Sequence, residues 1–217
     1  MKQSEIPEAV RILKKLVQNW KTPAVTIIAR EKDPYKVLVS CILSLRTQDR
    51  TTGAASARLF EKADTPEKML ALDAEEIERL IYPVGFYRNK ARALLAISRD
   101  LLEKYGGRVP DEIDGLLTLP GVGRKTANLV VSIGYGKPGI CVDTHVHRIT
   151  NRWGYVRTKA PEQTETALRE KLPTRYWTQI NDLLVTFGQN QCKPISPLCS
   201  TCPLFKFCDR VGVTVSR

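Results

Sequence analysis

The sequence predicts an all-α protein of two helical domains, and three observations carry the prediction. Apolar residues recur every three or four positions along most of the chain. Glycine, proline and capping residues fall where those stretches stop. No pair of alternating apolar–polar segments supplies a strand and its partner.

Taken in order, Val10, Leu13, Val17 and Trp20 form a helical stripe with Lys14 and Lys15 off it, an amphipathic helix that packs on something. Residues 35–46 are an apolar run, 52–63 are rich in alanine, and 74–81 and 89–104 repeat apolar residues at three and four. Asp73 with Glu76 three positions on is a capping box that starts the helix over 74–81. Gly106-Gly107 ends the helix containing Leu94, Leu95, Leu101 and Leu102. A short helix follows over Glu112–Leu117. The run Leu129–Ile133 has the composition of a strand but no alternation, and it follows Gly-Arg-Lys-Thr-Ala-Asn. It reads as a buried helix. Lys137-Pro-Gly139 breaks the pattern and separates a central helical domain from a second one.

Charge narrows the function. Among 217 residues, 34 Lys and Arg face 23 Asp and Glu, a net charge of +11. Such a balance points to a polyanionic partner, because basic side chains gain affinity by releasing counterions from phosphates. No stretch approaches the roughly 20 apolar residues that cross a bilayer. The first residues lack the basic-then-apolar order of a secretory signal. Six cysteines without such a signal read as ligands or core residues, not as a disulfide framework. The expected compartment is the cytoplasm or the nucleoid within it.

The most informative segment is Leu119-Pro-Gly-Val-Gly-Arg-Lys-Thr126, with Asp143 of Val142-Asp-Thr-His145 lying 18 positions beyond Lys125. Gly121 and Gly123 permit positive φ and leave amides uncovered, and the helix that starts near Arg124 offers free N–H groups to a phosphate. A Walker loop needs glycine directly before lysine after a strand, and Arg124 intervenes here. Val84-Gly-Phe-Tyr-Arg-Asn-Lys-Ala91 faintly repeats this glycine turn into a basic helix. Lys125 sits where the helix dipole disfavours an ammonium, and partial burial in a cleft would act the same way; a neutral amine is the nucleophile of Schiff-base chemistry. By itself such a lysine is more often a phosphate contact. Asp143 is an excellent N-cap for the helix beginning at Thr144, and also a fixed carboxylate able to take a proton or stabilise positive charge on a sugar. His145 and His147 have no third ligand nearby in sequence and read as hydrogen-bonding and packing residues.

Near the end stands Cys192-x6-Cys199-x2-Cys202-x5-Cys208, punctuated by Pro194, Pro197 and Pro203. Four thiolates suit zinc or an iron–sulfur cluster, and the gaps of six and five do not match the paired units usual for zinc. Lys193, Lys206 and Arg210 make the same loop basic. Cys41 and Cys141 lie in apolar runs and read as core residues.

Together, Leu-Pro-Gly-Val-Gly-Arg-Lys-Thr-Ala, Val-Asp-Thr-His and the cysteine spacing resemble the endonuclease III family of helix-hairpin-helix DNA glycosylases, over nearly the whole chain. The resemblance implies a six-helix barrel over 24–136. Residues 1–23 and 137–217 would form a domain holding a [4Fe–4S] cluster on Cys192, Cys199, Cys202 and Cys208, and a DNA cleft would lie between the two. It implies a bifunctional glycosylase and abasic-site lyase in base excision repair. Lys125 would attack C1′ of a flipped, oxidised pyrimidine nucleotide, Asp143 would assist, and β-elimination would nick the strand 3′ to the site. Residues placed at DNA are Arg46, Gln48, Phe86, Tyr87, Arg88, Gly121, Gly123, Arg124, His145, Lys193 and Lys206. Arg46 stands where many relatives carry glutamine, and Phe86 where an aliphatic wedge is common. The expected partner is double-stranded DNA with damaged bases or abasic sites, bound by a monomer and without a membrane.

Three alternatives remain. A monofunctional adenine-removing relative lacks the lysine and carries a further C-terminal domain. A mismatch-specific thymine or uracil glycosylase on the same scaffold is kept open by Arg46 and Phe86. A non-catalytic module would use the hairpin and the thiol loop only to grip DNA.

Overall fold

Helix α1, Ile6–Val17, turns its stripe inward: Ile6, Ala9, Val10 and Leu13 are buried, whereas Lys14 and Lys15 are exposed. Val17 and Trp20 pack part-buried against the same core. The coordinates are a computed structural model that describes residues 1–20 and 33–217. The predicted barrel's first residues, 24–32, lie outside the described residues. The chain is all-α, and no strand occurs among the described residues. It divides into two compact units, Met1–Thr22 with Ile140–Arg217, and Pro23–Gly139.

In the second unit, Asp33 accepts hydrogen bonds from the Tyr35 and Lys36 amides and starts α2, Pro34–Ser44, which is buried from Val37 to Leu43. The helix stops two residues before the predicted run does, because Leu45 is extended and Arg46 has φ +52. Helix α3, Asp49–Phe60, begins and ends three residues before the alanine-rich stretch. A short α4, Pro66–Leu70, is capped by the Thr65 hydroxyl. Both arms of the predicted capping box exist on α5, Ala74–Ile81: Glu76 N donates to Asp73 Oδ1 at 2.7 Å and Asp73 N to Glu76 Oε2 at 3.2 Å. Helix α6, Tyr87–Tyr105, lines up Lys90, Leu94, Ile97 and Leu101 on its buried face and ends at left-handed Gly106. It packs on α4 and α5.

Helix α7, Ile113–Leu117, and α8, Arg124–Leu129, pack on each other across the Pro120–Gly123 loop. The run expected as a buried helix continues α8 as one wide π turn, Val130–Gly134, buried at Val130, Val131 and Ser132. Gly134 eases the close packing there, since a Cβ would lie 3.1 Å from Pro34 Cα.

The other unit builds one apolar core from α1, α9 (Thr144–Arg152), α10 (Pro161–Lys171) and α11 (Trp177–Asn190). Val146, Ile149, Leu168, Ile180, Leu184 and Phe187 fill it. Residues 191–217 form a loop with a single 3-10 turn, Phe205–Phe207.

Candidate active site

The hairpin loop is open to solvent on the side a ligand would use. Gly121 has φ +75, and a Cβ at Gly121 or Gly123 would meet nothing within 4 Å. Val122 is buried beneath it, and its amide donates to the Leu119 carbonyl at 3.2 Å, closing the turn. Arg124 and Lys125 follow in the first turn of α8, both exposed. Thr126, Ala127 and Leu129 take the inward positions of this turn, so the lysine projects outward from its own unit. Beneath the lysine's charge, burial pushes the Cys41 thiol up to about 12 while Lys125 pulls the other way, which fits a core cysteine.

Asp143 is the N-cap of α9. Its Oδ1 accepts from the His145 and Val146 amides, each at 2.9 Å. One oxygen therefore satisfies the helix start, and the half-buried carboxylate keeps Oδ2 for another partner. His145 Nδ1 lies 3.1 Å from Arg148 Nη2, in space that only a glycine at 188 leaves, since a Cβ there would be 2.4 Å from that nitrogen. His147 bonds Thr164 Oγ1 at 2.7 Å.

Arg46, Gln48, Phe86 and Arg88 are exposed, and the Arg46 guanidinium lies over the Phe86 ring at 5.6 Å. Arg88 lies over the Tyr87 ring at 5.4 Å and 3.7 Å from Glu78. Two residues of this region escaped the sequence reading. Lys90 is buried and Thr47 bonds both loops. The signal for Lys90 was its register with Leu94, Ile97 and Leu101.

The four loop cysteines line one cavity together with Phe187, Leu198 and Arg152. Arg152 Nη1 donates to Cys192 Sγ at 3.3 Å and to the Lys193 carbonyl at 2.7 Å, and Nη2 to the Pro194 carbonyl at 2.7 Å. One turn earlier, Arg148 Nη2 reaches the Cys192 carbonyl at 2.9 Å. Burial raises the Cys202 thiol to about 11 and also raises Cys208, while the Leu204 and Arg210 amides, hydrogen-bonded to these sulfurs, pull the other way. Lys193 is half-buried and Lys206 exposed over Phe207. Among the described residues no group of three or more His, Cys, Asp or Glu is arranged for a metal ion.

Endonuclease III of Thermotoga maritima is 51% identical over 180 residues, 83% of this chain and 84% of its own length. A solved non-covalent endonuclease III–DNA complex matches with a TM-score of 0.85 at 36% identity, over 97% of this chain and 96% of that one. A trapped endonuclease III–DNA covalent intermediate matches at 0.83 and 34%, over 97% of each chain. Fold and hairpin together define the class, a helix-hairpin-helix protein of DNA repair. The chain belongs to the HhH-GPD superfamily of base excision DNA repair proteins, whose pattern spans residues 39–174.

Proposed function

We propose that this chain removes oxidised pyrimidines from double-stranded DNA and cuts the resulting abasic site, as a bifunctional glycosylase and lyase of base excision repair. The observation that carries the reading is the open Gly121–Gly123 turn with Lys125 projecting from the helix behind it, in a chain of this family. Residues 24–136 act as the barrel domain, and residues 1–23 with 137–217 as the cluster domain.

The hairpin amides and Arg124 hold a phosphate beside the lesion. Arg46 and Phe86 fill the stack from which the damaged nucleotide leaves, with Gln48, Tyr87 and Arg88 alongside. The Lys125 amine bonds to C1′ and the glycosidic C–N bond breaks, its electrons leaving with the base, which takes a proton. Opening of the sugar ring gives the Schiff base. Loss of a C2′ proton then expels the 3′ phosphate, and water releases the lysine. Asp143, through Oδ2, carries the proton traffic and faces the developing positive charge. His145, Lys193 and Lys206 add contacts to the DNA backbone.

Cys192, Cys199, Cys202 and Cys208 are the residues that would hold a [4Fe–4S] cluster. A single tetrahedral ion gathers sulfurs roughly 4 Å apart, whereas a cluster spreads its thiolates over its corners. Four thiols line one cavity, and all-thiolate ligation is the chemistry that holds such clusters. Amide and guanidinium donors to the sulfurs suit thiolates. When bound, the group folds the basic loop. The protein works where its DNA substrate lies, in the cytoplasm or nucleoid; no described helix is long and apolar enough to cross a membrane.

Borohydride trapping on abasic-site DNA tests the reading. A covalent adduct with the natural chain that vanishes in Lys125→Ala is the expected result, and DNA binding without any adduct would leave only a gripping module. An absorption band near roughly 400 nm identifies iron against zinc. The identities of Arg46 and Phe86, in contact at 5.6 Å, bear on a second and less supported reading, a thymine or uracil glycosylase acting at mismatches. Arg46→Gln is expected to shift preference among lesions or opposite bases, with rates on the best substrate changing less than about threefold. An unchanged profile over a lesion panel removes Arg46 from specificity.

A further inference from the structure

Arg46 and Phe86 stand on two loops, residues 44–49 and 84–87, and one buried amine ties the loops together. Lys90 is 7% exposed. Its Nζ donates to the Leu43 carbonyl at 2.8 Å, the Leu45 carbonyl at 2.6 Å and Thr47 Oγ1 at 3.1 Å. Three acceptors match the three N–H bonds of an ammonium, and two of them are carbonyls at the end of α2, where positive charge is favoured. Thr47 carries the link onward: its hydroxyl donates to the Leu45 carbonyl at 3.2 Å and accepts the Gly85 amide at 3.1 Å. A Cβ on Gly85 would lie 2.5 Å from the Arg46 carbonyl oxygen, so only glycine lets the second loop approach this far. Both wedge residues have left-handed backbones, Arg46 at φ +52 and Phe86 at φ +58. Such conformations persist where the surroundings enforce them.

We propose that Lys90 is a positioning residue, which locks the turn at 44–47 and, through Thr47 and Gly85, the turn at 84–87, so that Arg46 and Phe86 enter the duplex as one preformed wedge. The inference rests on the glycosylase reading above and adds to it a residue that takes no part in bond making. Burial lowers the Lys90 pKa to about 8, which leaves the amine charged at neutral pH. A plain helix cap would use the Leu43 and Leu45 carbonyls alone. The third bond, to the hydroxyl that also holds the other loop, is what a cap does not require.

Two substrates separate the possibilities: a duplex with one thymine glycol, and a single-stranded oligonucleotide with one abasic site, from which nothing has to be extruded. Lys90→Met keeps an unbranched stem and removes the donors. It is expected to lower the single-turnover rate on the duplex about tenfold and on the single strand less than about twofold. Thr47→Val keeps the shape and loses the shared hydroxyl, for a duplex loss of about threefold. In an Arg46→Ala background, Lys90→Met is expected to cost clearly less than the roughly tenfold it costs alone, because one of the two side chains it aims is gone. Equal losses on both substrates, or an undiminished tenfold loss in the Arg46→Ala background, overturn the proposal and reduce Lys90 to a cap. If Lys90→Met does not fold, Thr47→Val with and without Arg46→Ala decides by the same non-additivity. A natural chain that forms no borohydride adduct on the abasic strand overturns the glycosylase reading itself, and this inference with it.

Discussion

The unit Pro23–Gly139 and the loop that closes the other unit are held by different physics. In the former, every helix from α2 to α8 sends apolar side chains inward, with Leu38, Leu59, Met69, Ile77, Leu94 and Ile97 at most 1% exposed. Among residues 188–217, Leu204 is the one member of an apolar core. That loop is tied by polar bonds: the Arg148 and Arg152 contacts, Gln191 to Thr201 Oγ1 at 3.2 Å, and the Ser200–Arg217 and Arg217–Pro197 backbone bonds at 3.0 and 2.9 Å. Hydrophobic burial yields a fold that stands without a ligand. A loop that buries so little of its apolar surface, leaving Ile195, Phe205, Val211 and Val215 exposed, would need the proposed thiol-bound centre to offset the entropy of ordering.

The sharpest way to break the contrast is to remove the centre. Cys202→Ser, or chelation of iron, is expected to raise protease cleavage within residues 191–217 by at least about tenfold while hydrogen exchange in α6 stays slow. Equal protection of the loop before and after removal would show that its polar bonds suffice. The converse is Leu94→Ala, expected to cost about 2–5 kcal/mol in urea unfolding of the central unit while the visible band is retained. Loss of the band in parallel would merge the two regions into one cooperative whole.

Asp143 sharpens the comparison at the helical end of the thiol-bearing unit. Asparagine caps a helix nearly as well as aspartate, so Asp143→Asn is expected to change stability by less than about 0.5 kcal/mol. The same change removes a charge from the chemistry and is expected to lower turnover about a hundredfold with DNA affinity kept. Collapse of affinity together with turnover would make the carboxylate a cap alone.

The smallest effect concerns pH. The Lys90 pKa is about 8 in the folded protein against 10.5 ordinarily. Between those values the unfolded chain holds the proton and the folded one has released it, so raising the pH favours folding. Below pH 8 both forms are charged and the penalty is fully present. The stability of the natural chain relative to Lys90→Met is therefore expected to rise, by on the order of 1 kcal/mol, between pH 8 and 10.5. A flat difference would mean that the two carbonyls and the hydroxyl hold the charge against burial.

What the sequence disclosed was local or strictly spaced. The Asp73–Glu76 box, the Gly106 stop and the hairpin glycines each lie within a short window, and each signal has one geometric meaning. What it hid was set at a distance. Nothing near Ser44 is a glycine or proline, yet α2 stops there, because an amine more than 40 positions away gathers the Leu43 and Leu45 carbonyls. A lysine beginning a buried stripe looks like a break in the pattern until its acceptors are seen. Helix α11 was a different case: Ile180, Leu184 and Phe187 already had helical spacing, overshadowed by the cysteines that follow.

The left-handed posts at 46 and 86 also govern how this wedge can diversify. Valine, isoleucine and threonine at either site would set a branched Cβ against the neighbouring carbonyl and lose the turn before meeting any DNA. Side chains unbranched at Cβ, such as glutamine, asparagine, leucine or tyrosine, meet that backbone filter more easily. Lineages altering damage preference are thereby confined to a short alphabet at these two positions, whatever the lesion demands.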